Sequence, residues 1–356
     1  MSEKPNGNDG KRKAHRKSHA GCRECRRRRI KCVTYTPKDM ALLHHWTCHA
    51  SRTIVCAPLA DELWQDILPR IGLEHAFVMS AILSLSALHM ACHVNAQRQH
   101  LLNEAARQNS DAVRGLREQL NHMHESMSDA LFACASLNVV YIFASAGPLS
   151  DQTSSDDSTK PTNRHTLNTD WIPLMRGVGV VVQAVHQQVH KGPLAPLLEI
   201  DNWFELDPET AYAPGDADLR CLSDVWAGDS SGKEIYDETL NSLRRCNAYL
   251  HHPHYNSATS PITPHSPEEQ RKWGYNGPWA GPMIWIQFLS EDFLARLYQR
   301  QPYALVLFAH FGALMHSLDR VWCFEGWGKR IVLVVGEILG SYWDGWMSWC
   351  RAYVEK

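Results

Sequence analysis

Uninterrupted apolar runs long enough to cross a membrane are missing from this sequence of 356 residues. The most apolar stretches, Ala76 to Ala91 and Ala130 to Ala146, stay short and are interrupted by serine, histidine or asparagine, so both read as buried helices. The polar opening Met-Ser-Glu-Lys-Pro-Asn-Gly-Asn has no apolar core, and a secretory signal of the usual kind is not expected. His-Glu-x-x-His, Gly-x-Ser-x-Gly and a phosphate loop are absent, and Gly177-Val-Gly179 lacks the third glycine of a dinucleotide fingerprint. An enzyme is therefore not expected. Alternating strand patterns are scarce, and no repeat recurs at a fixed period. The eleven cysteines form an odd, scattered set without framework spacing beyond the first three, which suggests a reducing compartment.

Positive charge is scarce outside one place. Residues 1–32 carry 12 Lys plus Arg against Glu3, Asp9 and Glu24, a net of +9, and since the whole chain is at −2 the remainder carries −11. A basic arm on a mildly acidic body points to a nucleic-acid partner. Lys11, Arg12, Lys13, Arg16 and Lys17 make a nuclear import signal, so the expected compartment is the nucleus. Within the arm, Cys22, Cys25 and Cys32 stand in a Cys-x2-Cys-x6-Cys pattern, whose first spacing lets two thiolates reach one zinc ion from a tight turn.

That spacing, with Gly21 before it and Arg26, Arg27, Arg28 and Arg29 after it, resembles the fungal six-cysteine binuclear zinc cluster of transcription factors. The resemblance implies zinc as cofactor and a short metal-held helix in the major groove of double-stranded DNA reading CGG-type promoter elements. Arg23, Arg26, Arg27, Arg28, Arg29 and Lys31 would then contact bases and phosphates. The competing reading of the same residues is a solvated basic tail serving nuclear import alone. The chain departs from the family after Lys38: a second Cys-x2-Cys and a sixth cysteine do not follow, and Cys48 and Cys56 come next. A skipped or mis-joined coding segment would explain the abrupt change. His44, His45, Cys48 or His49 could complete a single zinc site. Alternatively these residues belong to a helix with Met40, Leu42, Leu43 and Trp46, and Cys48 is a small buried side chain.

The expected organisation is a disordered basic tail over 1–14, a partial zinc-cluster motif over 15–38 and an all-α regulatory domain over 39–356. Helices are predicted near 39–54, 60–70, 73–93, 97–124, 126–146, 170–190, 234–251, 283–300, 302–322 and 327–352. Surface loops are predicted near 147–170, 201–233 and 253–282 from their Ser, Pro, Gly and acidic content. The polar 97–124 helix should lie outside and the apolar 130–146 helix at the centre. Trp203-Phe-Glu-Leu-Asp-Pro-Glu209 reads as a surface loop, with a small activation segment as the alternative. The other histidines, His251 and His252 among them, show no helical pairing with carboxylates and read as ordinary surface or core residues.

Leu42-Leu-His-His-Trp-Thr47, Leu63-Trp-Gln-Asp-Ile-Leu-Pro69, Phe77 to Met90, Trp171 to Gly177, Pro302 to His310 and Cys323 to Gly328 follow in an order that resembles the regulatory domain of fungal sterol uptake control proteins and their relatives. That resemblance implies a helical domain which in some members encloses an apolar ligand such as a sterol. It also implies contact with the transcription machinery and control of sterol, lipid or secondary-metabolite genes. Eight of the thirteen tryptophans fall after residue 272, either as an aromatic wall for such a ligand or as a tryptophan-packed core. Two functions of different class remain: a zinc-cluster transcription factor that reads DNA, and a truncated nuclear interaction or ligand-sensing module that does not. Dimerisation is left open.

Overall fold

The computed structural model describes residues 35–54, 62–94, 96–147, 167–198, 201–211, 213–229, 232–252 and 279–355. Helices make up the fold, and no strand occurs among the described residues. The chain is all-α.

Helix α1, Pro37–His45, starts where sequence rules place a start. The Thr36 hydroxyl accepts from the Asp39 amide, the Asp39 carboxylate accepts from the Thr36 amide at 2.8 Å, and Pro37 occupies the first turn. The helix widens into a π-turn at Trp46–Ala50 and closes with an α-turn at Ser51–Ile54. A second π-turn, Leu63–Ile67, leads into α2, Leu68–Glu74. The indole N–H of Trp46 donates to Trp64 O at 2.8 Å, which ties these two irregular segments together in the interior.

Next come α3, Ala76–His93, α4, Arg98–Leu120, and α5, Ser128–Ala146. Helix α3 packs along α4 on one side and against α1, α2 and α5 on others. Helix α4 is the outer member: only Leu101, Ala105, Gln108, Ala112 and Leu116 are buried, a single stripe at helical spacing. Helix α5 is buried nearly all round, from Ala130 to Ala135 and on to Phe143 and Ala144. Helix α3 and the segment Glu125–Ala146 are long and apolar enough to cross a membrane by length and composition, and 72% of each window is covered by the rest of the protein.

Helix α6, Trp171–Val189, lies on α5 and reaches α10. The segment expected as a loop over 201–233 is instead folded in pieces: α7, Asp201–Glu205, α8, Asp216–Cys221, and a 3-10 turn at Leu222–Trp226. Trp203, Leu219, Leu222 and Trp226 are buried and hold it down, so the Trp203 run is neither a free loop nor an exposed tail. Acidic and Pro/Gly-rich composition conceals such anchors, because burial of a few large side chains can hold irregular backbone in place.

The remaining helices are α9, Lys233–Leu250, α10, Ala280–Phe288, α11, Glu291–Tyr298, α12, Pro302–His316, α13, Trp327–Leu339, and α14, Asp344–Val354. Helix α12 is the centre of this half, buried from Ala304 to Met315 and flanked by α9, α11, α13 and α14. Helices α12 and α13 approach at two glycines. A Cβ on Gly328 would sit 2.3 Å from the His316 amide nitrogen and 2.5 Å from Gly312 O, so only glycine permits this approach. The predicted helix over 283–300 breaks at Ser290, whose hydroxyl accepts from the Phe293 amide at 3.2 Å to start α11. The one predicted over 327–352 breaks at Gly340, at φ 73°.

Candidate functional site

The residues expected to contact metal and DNA, from Lys11 through Cys22, Cys25, Arg29 and Cys32, lie outside the described residues, as do Cys56 and Trp273. What is described is the place where the arm enters the body. Lys38 reaches across to α4 and pairs with Glu104 at 2.9 Å, while Gln108 donates to Asp39 at 3.1 Å. Glu104 also pairs with Arg107. Partial burial pushes the Glu104 carboxyl up, but hydrogen bonds from Arg107, Lys38 and Gln108 outweigh it and bring the pKa down to about 2. The first turn of α1 is thus capped and clamped to α4.

The residues considered for a fourth zinc ligand fall on α1 and its π-turn. Cys48 is half-buried rather than buried, with its Sγ 3.5 Å from His44 Nε2. His45 and His49 join two histidines of α3 that sequence reading left among ordinary ones. His45 Nε2 and His89 Nδ1 share a hydrogen bond at 2.8 Å, and the rings of His45 and His49, His45 and His89, and His89 and His93 lie 5.2, 5.0 and 4.7 Å apart. Trp322 closes the inner side, edge-on to His89 at 5.2 Å. The missed signal was a repeat: His45-Trp-Thr-Cys-His49 and His89-Met-Ala-Cys-His93 share the pattern His-x2-Cys-His. Among the described residues, no three His, Cys, Asp or Glu side chains already stand ready to hold a metal.

Burial first, then the neighbouring imidazoles, lowers the pKa of His45 to about 4, with His49, His93 and His44 facing it. The same causes lower His89 to about 4, its neighbours being His45, His93 and His49. His310, within α12, is also lowered to about 4 by burial, although its Nδ1 lies 2.9 Å from Val306 O and its ring stacks on Trp349. In the unfolded chain these rings titrate near pH 6.5. Between about pH 6.5 and 4 the unfolded state therefore binds more protons, and folding stability falls as pH falls through that window. Urea midpoints measured from pH 7.5 to 4.5 should drop progressively, and His310→Gln should flatten the slope. A midpoint constant across that range would contradict the buried neutral rings.

The C-terminal tryptophans do not line one wall. Trp285 stacks on Phe311 at 4.5 Å, Trp343 meets Tyr303, Trp349 meets His310, and Trp327 joins Phe143 and Trp171. Trp285 and Trp327 fill separate parts of the core, and Trp343 and Trp349, partly buried, pack against it. The seven described cysteines are free thiols, and those of Cys134, Cys246, Cys323 and Cys350 are pushed up by burial, so they are poor nucleophiles.

Residues 41–196, from α1 to just past α6, match the model of the fungal specific transcription factor domain. Over 208 residues it is 26% identical to sterol uptake control protein 2 of Saccharomyces cerevisiae, covering 57% of this chain and 21% of that protein. A Zn(2)-C6 fungal-type transcription factor of Gibberella zeae is 22% identical over 328 residues, 87% of this chain and 60% of its own length. The Zn(2)-C6 fungal-type transcription factor afumD of Aspergillus fumigatus is 23% identical over 239 residues, 52% and 60%. The chain thus spans between a fifth and three fifths of these relatives' lengths. The histidine cluster and the Lys38–Glu104 clamp both lie within or next to the matched residues.

Proposed function

We propose that this chain acts in the nucleus as a fungal transcription regulator of the zinc-cluster type, its helical body regulatory and its basic arm bound to promoter DNA. The observation that carries this reading is adjacency: a segment of net +9 precedes, within a few residues, a capped helix that opens the transcription factor domain. Arg23, Arg26, Arg27, Arg28, Arg29 and Lys31 supply the phosphate and base contacts at CGG-type elements, and Lys11 to Lys17 direct import. The regulated genes belong to sterol, lipid or secondary metabolism, and a sterol-like apolar molecule is the candidate effector; the sterol part of this reading is supported by the name of the sterol uptake control protein among the relatives.

The donor set does not fit a two-zinc cluster. Six thiolates are needed and the arm offers Cys22, Cys25 and Cys32; Cys48, next along the chain, lies in the π-turn after α1, against His44. No step of the proposed function runs through such a cluster. The thiol count favours one second reading, a nuclear interaction or ligand-sensing module that leaves DNA to other chains.

Equilibrium binding of the full chain to a CGG-containing duplex and to a scrambled one, over a salt series, separates the two. The first reading expects tighter binding to the CGG duplex. Replacing Arg26, Arg27, Arg28 and Arg29 with Ala should reduce the slope of log K against log salt by about 0.9 for each phosphate contact removed. Equal affinity for both duplexes removes promoter reading, and absence of binding at low salt leaves the module.

A further inference from the structure

We propose that His45, His49, His89 and His93 form a binding site for a divalent transition-metal ion of the zinc class, bridging α1 and α3. Helix α3 contributes His89 and His93, four residues apart on one face, and α1 with the π-turn after it contributes His45 and His49. The two pairs come from helices that pack on each other, and their rings run in an unbroken chain from His49 through His45 and His89 to His93. Four imidazoles with no carboxylate among them are a donor set for zinc, copper, nickel or cobalt rather than for calcium or magnesium.

Three further observations point to a site rather than to a chance gathering. A π-turn, Trp46–Ala50, follows His45 and carries His49, and such widened turns are rare and concentrate at functional positions. The neighbouring backbone is stitched across the helices: Ser86 Oγ donates to Leu42 O at 2.6 Å, one turn from the histidines, so the two pairs are held in register. The cluster is graded as a metal site needs to be, with His89 buried against Trp322, His45 half-buried, and His49 and His93 exposed at the mouth.

The arrangement is closed. His45 and His89 are joined nitrogen to nitrogen at 2.8 Å, whereas two nitrogens on a tetrahedral zinc with bonds of about 2.0–2.1 Å stand about 3.3 Å apart. Entry of a metal therefore breaks one hydrogen bond and separates the rings by about half an ångström, with His49 and His93 swinging in from solvent. Their exposure leaves them free to do so. The bound ion would hold the C-terminal end of α1 on α3, a role independent of whether the arm reads DNA.

The experiment uses the full chain with Cys22, Cys25 and Cys32 changed to Ser, which removes the thiols of the arm, and titrates it with Zn2+ alone and with Co2+ alone. The expected result is one ion per chain, with a cobalt d–d spectrum free of thiolate charge-transfer absorption. Adding His49→Ala and His93→Ala should weaken binding by at least about ten-fold, the lower end of what loss of an outer-shell partner already costs a metal site. Both replaced histidines are exposed, so circular dichroism and the metal-free melting curve should not change. No zinc bound by the triple-Ser chain, affinity unchanged by the two histidine replacements, or a cobalt spectrum dominated by thiolate would each overturn the site.

Discussion

Replacing Trp327 with Ala should lower unfolding stability by about 3–5 kcal/mol, read as a fall in the urea midpoint of the helical circular-dichroism signal. Trp327 opens α13 and is 4% exposed, and its ring contacts and indole hydrogen bond reach α5 and α6. Its ring lies 5.3 Å from Phe143 of α5 and 5.5 Å from Trp171 of α6, both edge-to-face, and its indole N–H donates to Phe143 O at 3.0 Å. Phe324, 4.9 Å from Phe143, completes the group. The truncation removes a large apolar surface and opens a cavity that helices from both halves would have to collapse to fill. Trp327→Phe separates the parts: it keeps most of the ring and loses the hydrogen bond, so about 1–2 kcal/mol is expected. Equal losses for Ala and Phe would mean that the hydrogen bond, and not the packing, holds the halves together.

That cluster explains why the architecture was only partly legible in the sequence. Helices α5 and α12 are apolar on every face and central, and composition alone reveals them. Helix α4 shows its single buried stripe just as plainly. Which helix meets which was invisible, because Phe143, Trp171, Phe324 and Trp327 are spread over more than 180 residues of chain. Boundaries failed where one residue ends a helix inside a continuous apolar pattern. Ser290, followed by Glu291 and Asp292, is in fact a readable start signal, and Gly340 a readable stop. The weight given to apolar periodicity masked both. The 201–233 segment failed for the opposite reason, since a few buried side chains outweighed an unfavourable composition.

The candidate site was legible in one part and hidden in the other. Charge asymmetry and Cys22-x2-Cys25 are local patterns that need no structure to be seen. The histidine cluster joins positions 44 residues apart, and histidines were searched for pairing with carboxylates rather than with one another. Two His-x2-Cys-His segments were there to be counted, but only the packing of α1 on α3 makes them one feature.

Replacing Arg244 with Ala should cost about 3 kcal/mol, near the lower end of what breaking a buried ion pair costs. Arg244 is buried on α9 and is the hub for the folded pieces of 201–233. Its guanidinium donates to Asp216 at 2.8 and 3.0 Å, to Glu209, and to Pro208 O at 3.3 Å. Asp216, in the first turn of α8, is raised by burial but lowered further by its bonds to Arg244 and Arg220, so it stays ionised. Without Arg244, Asp216 keeps only Arg220 and α8 loses its main tie to α9. Arg244→Lys restores the charge without the fork that engages two carboxylates, and should recover less than half of the loss. Asp216→Asn in the Arg244→Ala background should then cost little more, since the partner is already gone. Fully additive effects of the two changes would show that each acts separately, and that the pair does not hold the segment in place.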